Sequence, residues 1–358
     1  MSRASAPQLH ILATGGTIAG QAASASDHVD YRAAVLPVQQ LLDAVPALQQ
    51  LPAQLHAEQI LQKDSKDLDA GDWLRIAQAT AAALAQPQVQ GVVLTHGTDT
   101  LEETAWFLHR CLPAVGKPVV LVSAMRPAGA LGADGPQNLF DACVLALSAA
   151  QAGLVRAGAG CQVLTVAAGR VFDALTVQKV QPYHVPAFSA GEAGPLAWVE
   201  QGQLRPARPC CPAGPVQDVQ AAEQGAEQDA ELWAPGRYQA LLRAAAPTPP
   251  PAVAWLSSHA GFDARQVRAL VAAGFDGLLV AGTGNGTLHH ALHAALCEAA
   301  REAGVAVAVT SRCTAGAVVP QPAPPWPLLP LPPAKARLEL QLRLWLERTK
   351  ACARACSV

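Results

Sequence analysis

The stretch ILATGGTIAG, residues 11–20, joins an apolar run to a pair of glycines and a threonine. The run has the length and composition of a buried strand, and the glycines indicate a sharp turn at its carboxyl end. Glycines let backbone N–H groups approach a ligand closely, so Thr17 directly after them is a candidate nucleophile. A strand-to-loop turn without chemistry explains this stretch equally well when it is taken alone. A dinucleotide fingerprint fits poorly, because the G-x-G-x-x-G spacing is absent and no helix clearly follows.

On both sides of this stretch, short apolar runs alternate with helical patterns, which is typical of βαβ units around a largely parallel sheet. In the first half we predict strands over Leu9 to Ala13, Gly91 to Thr95, Pro118 to Ser123 and Gln162 to Ala167, and helices over Asp72 to Ala85, Leu101 to Cys111 and Pro136 to Ala150. In the second half we predict strands over Val253 to Leu256, Gly277 to Val280 and Val305 to Val309, and helices over Ala264 to Ala273, Leu288 to Ala303 and Ala334 to Arg348.

A segment rich in Gln, Glu, Ala and Pro interrupts this pattern between about residues 206 and 251. Such a composition without a firm period is typical of a linker. We therefore predict a large N-terminal α/β domain over residues 1–205, a linker over residues 206–251, and a smaller C-terminal α/β domain over residues 252–358.

The composition excludes several classes of protein. Hydrophobic residues make up 51% of the 358 residues and the formal net charge is -2, which argues against a disordered chain and against a basic nucleic-acid binder. No apolar run is long enough to span a membrane, and the few residues before the first strand are too short for a signal peptide. The nine scattered cysteines fit reduced thiols, and the histidines and cysteines form no convincing metal-ligand set. We expect a cytoplasmic protein whose partner is a small molecule, without membrane contact.

A second polar turn follows the strand in GVVLTHGTDTLEE, residues 91–103. Thr100 and Glu103 have the spacing of a capping box at a helix start. Capping leaves Thr98 and Asp99 unexplained, and they lie at the carboxyl end of a strand, where open α/β sheets usually bind ligands. His96 is either a general base or a packed side chain without a catalytic role.

Together, TGGTIAG (residues 14–20) and THGTDTLEET (residues 95–104) resemble the two signatures of the bacterial-type L-asparaginase and glutaminase-asparaginase family. Shorter sequence blocks similar to this family lie at residues 124–127, 133–139, 274–277 and 282–286. The resemblance implies a large α/β domain and a smaller flavodoxin-like one. It also implies an amidohydrolase that converts L-asparagine to L-aspartate and ammonia without a metal or organic cofactor, as a homodimer or homotetramer.

The same resemblance assigns roles to individual residues. Thr17 would attack the amide, while Thr98, Asp99 and Lys179 form a polar triad and Tyr31 lies on a mobile lid. Without the resemblance, Lys179 in the stretch VQKVQ would be interpreted as a surface lysine. Substrate binding is assigned to Gly16, Ser65, Lys66, Thr98, Asp99 and Ala124.

The chain departs from the family at three places. Lys66 stands where well-known members carry Gln or Glu, and a cation there would repel the α-ammonium of asparagine. The stretch LSSHAGF (residues 256–262) lacks the Asn, and PQPAPPWP (residues 320–327) lacks the Glu, that complete the partner's site in tetrameric members. Ser258 or His259 are candidates to replace part of that function.

These departures leave three alternative functions open: a glutaminase or other small-amide hydrolase, an amino-acid sensor with weak activity, and an amide-transfer subunit acting on charged tRNA. No basic face is visible for the last of these.

Overall fold

The computed structural model describes residues 7–158, 162–207, 233–243, 248–319 and 325–355. The chain divides into two compact units, Met1–Leu242 and Arg243–Val358. These are called the large unit and the small unit below.

The large unit contains an eight-stranded sheet with the order β12-β11-β8-β7-β6-β5-β1-β4. In chain order, its strands are β1 (Gln8–Gly15), β4 (Gln54–Lys63), β5 (Val89–Thr95), β6 (Val119–Val122), β7 (Val163–Ala167), β8 (Arg170–Asp173), β11 (Ala197–Glu200) and β12 (Gln203–Pro206). Two short ribbons lie outside it and consist of β2 (Gln21–Ala22) with β3 (Tyr31–Arg32), and β9 (Gln178–Lys179) with β10 (Phe188–Ser189). The helices are α1 (Val38–Asp43), α2 (Ala70–Leu84), α3 (Leu101–Cys111) and α4 (Gly135–Ser148).

Strands β4, β1, β5, β6 and β7 run parallel, whereas β8, β11 and β12 continue the sheet in antiparallel pairs. The apolar run before the glycine pair lies in β1, which pairs with a strand on each side. Its residues Leu9, Ile11 and Leu12 are at most 1% exposed. A parallel strand buried on both faces requires such a continuous apolar run rather than an alternating pattern.

The small unit is built on the parallel strands β13 (Val253–Ser257), β14 (Gly277–Gly282) and β15 (Ala306–Ser311), in that spatial order. Its helices are α6 (Arg265–Ala272), α7 (His290–Ala303) and α8 (Pro333–Ala355), and the short helix α5 (Ala240–Arg243) precedes them at the boundary of the two units. The prediction of a large N-terminal α/β domain followed by a smaller C-terminal one is confirmed. Helix α8 extends beyond the predicted end at Arg348, because no glycine or proline stops it there.

Part of the stretch predicted as a linker packs in the large unit. Tyr238 is 1% exposed, its backbone N–H donates to the carbonyl of Arg110, and the Arg110 guanidinium lies 5.1 Å from the centre of the Tyr238 ring. Residues 208–232, and with them Cys210 and Cys211, lie outside the described part, so the exact boundaries stay a prediction. In the part of the chain that the structure describes, no helix is both long enough and apolar enough to cross a membrane.

Candidate active site

The carboxyl ends of the parallel strands bring the predicted site residues to one edge of the large sheet. The loops that follow β1, β4, β5 and β6 at this edge carry Thr17, Ser65, Thr98 with Asp99, and Ala124. Parallel strands all end at the same edge, so residues that are far apart in sequence become neighbours there.

Three of these loops touch through positions that exclude a side chain. Gly16 has φ +82°, and a Cβ atom on it would lie 2.3 Å from the backbone nitrogen of Gly97. A Cβ atom on Gly97 would in turn lie 2.4 Å from Oγ of Ser65. Glycine is therefore required at both positions, and it holds the loops after β1, β5 and β4 in direct contact.

Thr17 lies in a short 3-10 turn directly after the glycine pair and is 8% exposed. Its Oγ1 atom is 2.6 Å from the phenol oxygen of Tyr31, and either group can donate this hydrogen bond. Tyr31 belongs to the β2-β3 ribbon, and its ring packs close to Gly20. The structure thus brings the predicted nucleophile and the predicted lid tyrosine together.

Lys179 joins the other two members of the predicted triad. Its Nζ atom donates to Oγ1 of Thr98 at 2.8 Å and to Oδ1 of Asp99 at 2.6 Å. The Lys179 side chain is 17% exposed, which rules out a free surface lysine, while that of Asp99 is 52% exposed. The Thr98 oxygen accepts a hydrogen bond from Lys179, so the Thr98 hydroxyl proton remains available to donate to another group. The backbone N–H of Lys179 also donates to Glu102, a contact that the sequence did not suggest.

His96 is packed beneath the site and has no exposed surface. The indole N–H of Trp73 donates to the Thr104 hydroxyl, whose oxygen lies 2.9 Å from Nε2 of His96, and Nδ1 of His96 is 2.7 Å from the carbonyl oxygen of Gly97. Burial lowers the pKa of His96 to about 4. The ring is therefore neutral near pH 7, donates from Nδ1 and accepts at Nε2. Both nitrogens are occupied, so the alternative of a packed side chain fits the structure better than a general base.

Ser65 offers a buried hydroxyl to the site. It is 2% exposed, and its Oγ atom has no hydrogen-bond partner among the described residues. The predicted capping box at α3 is wrong, because the Thr100 side chain caps no helical N–H and instead donates to the carbonyl of Ser65 at 2.8 Å. This bond fixes the Ser65 loop against the turn that carries Thr98 and Asp99.

Lys66, one of the three departures from the family pattern, points largely to solvent. Its side chain is 61% exposed, and Nζ forms ion pairs with Asp64 and, at 3.6 Å, with Asp67. The hydrogen bond to Asp64 raises the pKa of Lys66, so the ammonium group is charged at neutral pH. Two neighbouring carboxylates thus offset much of its charge.

Ala124 is 1% exposed and follows β6. The backbone N–H groups of Met125 and Arg126 donate to the Asp134 carboxylate at 3.0 to 3.1 Å, and Asn138 donates to the same carboxylate and to the carbonyl of Ser123. Sequence analysis assigned no role to Asp134 or Asn138 beyond membership of a family-like block. The available signal was a polar residue just before Gly-Pro at a helix start.

The residues considered as substitutes in the small unit are engaged locally. Ser258 is 1% exposed, and its hydroxyl accepts from the backbone N–H of His289 at 3.0 Å. His259 is exposed, with Nδ1 2.8 Å from the carbonyl of Ala260. His289 accepts the N–H of Ala291 and so caps α7. Among the described residues, no three His, Cys, Asp or Glu side chains converge as a metal-binding group.

Comparison with known proteins places this geometry in context. Residues 8–210 match the family model described as "Asparaginase, N-terminal", and residues 252–355 match the "Glutaminase/Asparaginase C-terminal domain". L-asparaginase 2 of Escherichia coli K12 is 33% identical over 311 residues, which cover 87% of this chain and 79% of that protein. A protein named glutaminase-asparaginase from Pseudomonas fluorescens biotype A is 32% identical over 309 residues, or 86% of this chain and 76% of that protein.

A similar solved structure covers nearly the whole molecule. It is described as a "Probable Cytoplasmic L-asparaginase from Campylobacter jejuni", and it aligns with a TM-score of 0.79 and 30% sequence identity. The alignment covers 96% of this chain and 98% of that one.

Proposed function

The chain belongs to the asparaginase family and is an asparaginase-type amidohydrolase, and we propose that it hydrolyses L-asparagine to L-aspartate and ammonia through an acyl-enzyme on Thr17. One observation carries this proposal. The buried Thr17 hydroxyl is 2.6 Å from the phenol oxygen of Tyr31. The loop that carries Thr17 packs against the loop that carries Thr98 and Asp99, and Lys179 donates a hydrogen bond to each of these two side chains. Such a cluster suits nucleophilic catalysis without a metal.

In this mechanism, Oγ1 of Thr17 forms a bond to the amide carbon while its proton passes to the Tyr31 oxygen and the Tyr31 hydroxyl proton passes to the leaving nitrogen. The tetrahedral intermediate collapses, the C–N bond breaks, and the leaving nitrogen departs as ammonia. Water then attacks the ester, and aspartate and free Thr17 are formed. Lys179 and Thr98 would assist by donating a proton and taking it back, because the ammonium group of Lys179 has protons to give and no lone pair that accepts one. The Gly16 N–H already donates to the carbonyl of Lys63 at 3.0 Å, so the proposed oxyanion donors are the N–H groups of Thr17 and Thr98.

The substrate's charged end would lie between the loops after β4 and β5. The buried hydroxyl of Ser65, which has no hydrogen-bond partner in the described part of the chain, is a suitable donor to an α-carboxylate, since a buried polar atom without a partner is costly unless a ligand satisfies it. Asp99 has its second carboxylate oxygen for an α-ammonium group. Lys66 adds a positive charge to the same loop, which we expect to weaken ammonium binding.

The test is ammonia release by the purified protein from L-asparagine, D-asparagine and L-glutamine. Thr17→Ala should abolish release, whereas the matched Thr17→Ser variant, which keeps the hydroxyl, should retain part of it. Turnover that survives in Thr17→Ala would contradict the acyl-enzyme on this residue.

Two alternatives give different results in the same assay. A glutaminase, suggested by the Pseudomonas relative's name, would show the higher kcat/KM with L-glutamine. A sensor would release no ammonia while asparagine still raised its melting temperature.

Location and assembly belong to the proposal too. We propose a cytoplasmic homodimer or homotetramer, by analogy with the Campylobacter protein's description for the location, although the relative in Haemophilus influenzae is named as periplasmic. Cell fractionation and light scattering of the purified protein test these two points.

A further inference from the structure

The segment that carries Tyr31 is held at a second point on the large unit. We call residues 21–32, which include the β2-β3 ribbon, the lid. Nδ1 of His28 in the lid lies 3.2 Å from the phenol oxygen of Tyr183. Tyr183 is in the loop between β9 and β10, four residues after Lys179. One short hairpin therefore supplies both the triad lysine and the contact to the lid.

A tight turn connects this contact to Tyr31. Oδ1 of Asp27 accepts the backbone N–H groups of Val29 at 3.0 Å and Asp30 at 2.9 Å, which closes a tight turn around His28. These two bonds lower the pKa of Asp27, so its carboxylate stays charged and keeps the turn closed. Because only two residues separate His28 from Tyr31, the position of one ring constrains that of the other.

The His28 ring depends on Tyr183 for its orientation. Its Nε2 atom is buried and has no hydrogen-bond partner among the described residues, which leaves Nδ1 as the bonded nitrogen. The Tyr183 side chain is 50% exposed. Water can therefore compete for this bond, so the contact can break to admit a substrate and form again.

We propose that His28 and Tyr183 form a latch that holds Tyr31 on Thr17 and couples closure of the lid to the hairpin of Lys179. Both are positioning residues, because neither touches Thr17. The proposal rests on the proposed function, in which Thr17 is the nucleophile, and it assigns to Tyr183 a role that the triad and the lid tyrosine do not cover. Closure of a loop over a site commonly completes the catalytic geometry and excludes water.

Kinetics provide the first test. Tyr183→Phe keeps the ring and removes the hydroxyl, and we expect kcat/KM for L-asparagine to fall about fivefold, the size expected for one neutral hydrogen bond. His28→Ala should cause a similar fall, and the double variant should fall no further than either single one, because both remove the same contact. The control is Val115→Ala, which lies outside the lid and the hairpin, in the exposed loop before β6, and should leave kcat/KM unchanged. Independent, multiplying losses in the double variant would overturn the latch.

A second test does not depend on turnover. The chain has three tyrosines, Tyr31, Tyr183 and Tyr238, so protein labelled with 3-fluorotyrosine should give three fluorine resonances, assigned by single Tyr→Phe variants. His28→Ala should shift the Tyr31 and Tyr183 resonances and leave that of the buried Tyr238 in place. An unmoved Tyr31 resonance in both His28→Ala and Tyr183→Phe would overturn the proposal. This fluorine measurement does not require turnover. If the wild-type protein releases no ammonia, the proposed function is refuted, and the resonances of Tyr31 and Tyr183 still show whether the latch exists.

Discussion

Lys179 is the residue that ties the second threonine to the carboxylate at the site. Its ammonium group donates to both Thr98 and Asp99, so its loss leaves each without its partner. We expect Lys179→Met to lower kcat by at least about 100-fold, the lower bound for losing a positioned acid or base group. Lys179→Arg keeps the charge but not the point-like geometry and should recover little. A Lys179→Met enzyme with near-normal kcat, measured by ammonia release, would remove Lys179 from the proposed machinery.

Lys66 allows a test of substrate charge at the same loop. Lys66→Gln removes a cation near the proposed α-ammonium position, so KM for L-asparagine should fall. The side chain is exposed and paired with Asp64 and Asp67, so we expect a decrease of only about two- to threefold, shrinking at high salt. Lys350→Gln, the same charge change on an exposed part of α8, should leave KM unchanged. An equal decrease in both variants would indicate a net-charge effect.

At this scale the sequence was informative where the chemistry is local. Thr17 and Thr98 follow glycine turns at the ends of apolar runs, which a pattern can detect. Lys179 lies on a two-residue strand without any local signal, and only the resemblance pointed to it. The contact of His28 with Tyr183 joins residues 155 positions apart, so no spacing rule predicts it.

Among the elements, helix α4 carries a buried charge that costs stability. Asp141 is 2% exposed, and burial raises its pKa from 3.8 to about 6. The folded state therefore binds the Asp141 proton more tightly than the unfolded state does. Protonated Asp141 contributes favourably to the free energy of unfolding below pH 3.8, and this contribution is lost as the pH rises through 6. The shift corresponds to about 3 kcal/mol.

We therefore expect Asp141→Asn to raise the free energy of unfolding by up to about 3 kcal/mol at pH 7.5 and by little at pH 4, as measured by urea denaturation. Asparagine can still accept the hydrogen bond that Gln137 donates to Asp141. Asp43→Asn on α1 is the matched control, because Gln39 donates to Asp43 with the same spacing but on an exposed surface. A stabilisation that is equal at both pH values would refute the buried-charge explanation.

Elements were predictable when burial shaped their composition. Helix α3 was predicted with its observed ends, and β5 and β6 within two residues, because their apolar runs are bounded by polar turns. Strand β4 was missed because it is an edge strand with mostly exposed polar side chains. The antiparallel strands β8, β11 and β12 have four residues each, too few for a pattern to establish a period.

For the whole molecule, the sequence predicted two α/β domains, and each unit of the structure contains a core of its own. Leu145 is fully buried in the core of the large unit, and Leu296 is fully buried in that of the small unit. The buried residues of the two clusters do not overlap. Where the chain passes from one domain to the other was harder to predict, because composition alone does not reveal that Tyr238 packs against Arg110.

Separate cores make a prediction for unfolding. Chains with more than one domain often depart from two-state behaviour, so we expect two transitions in calorimetry. Truncating a buried leucine to alanine costs about 2–5 kcal/mol through the lost contacts and the cavity left behind. Leu296→Ala should therefore lower the transition of the small unit and leave the other in place, and Leu145→Ala should do the reverse. If both variants instead shift one common transition, the two cores unfold as a single cooperative system, and stability in either unit then controls the lifetime of the active site.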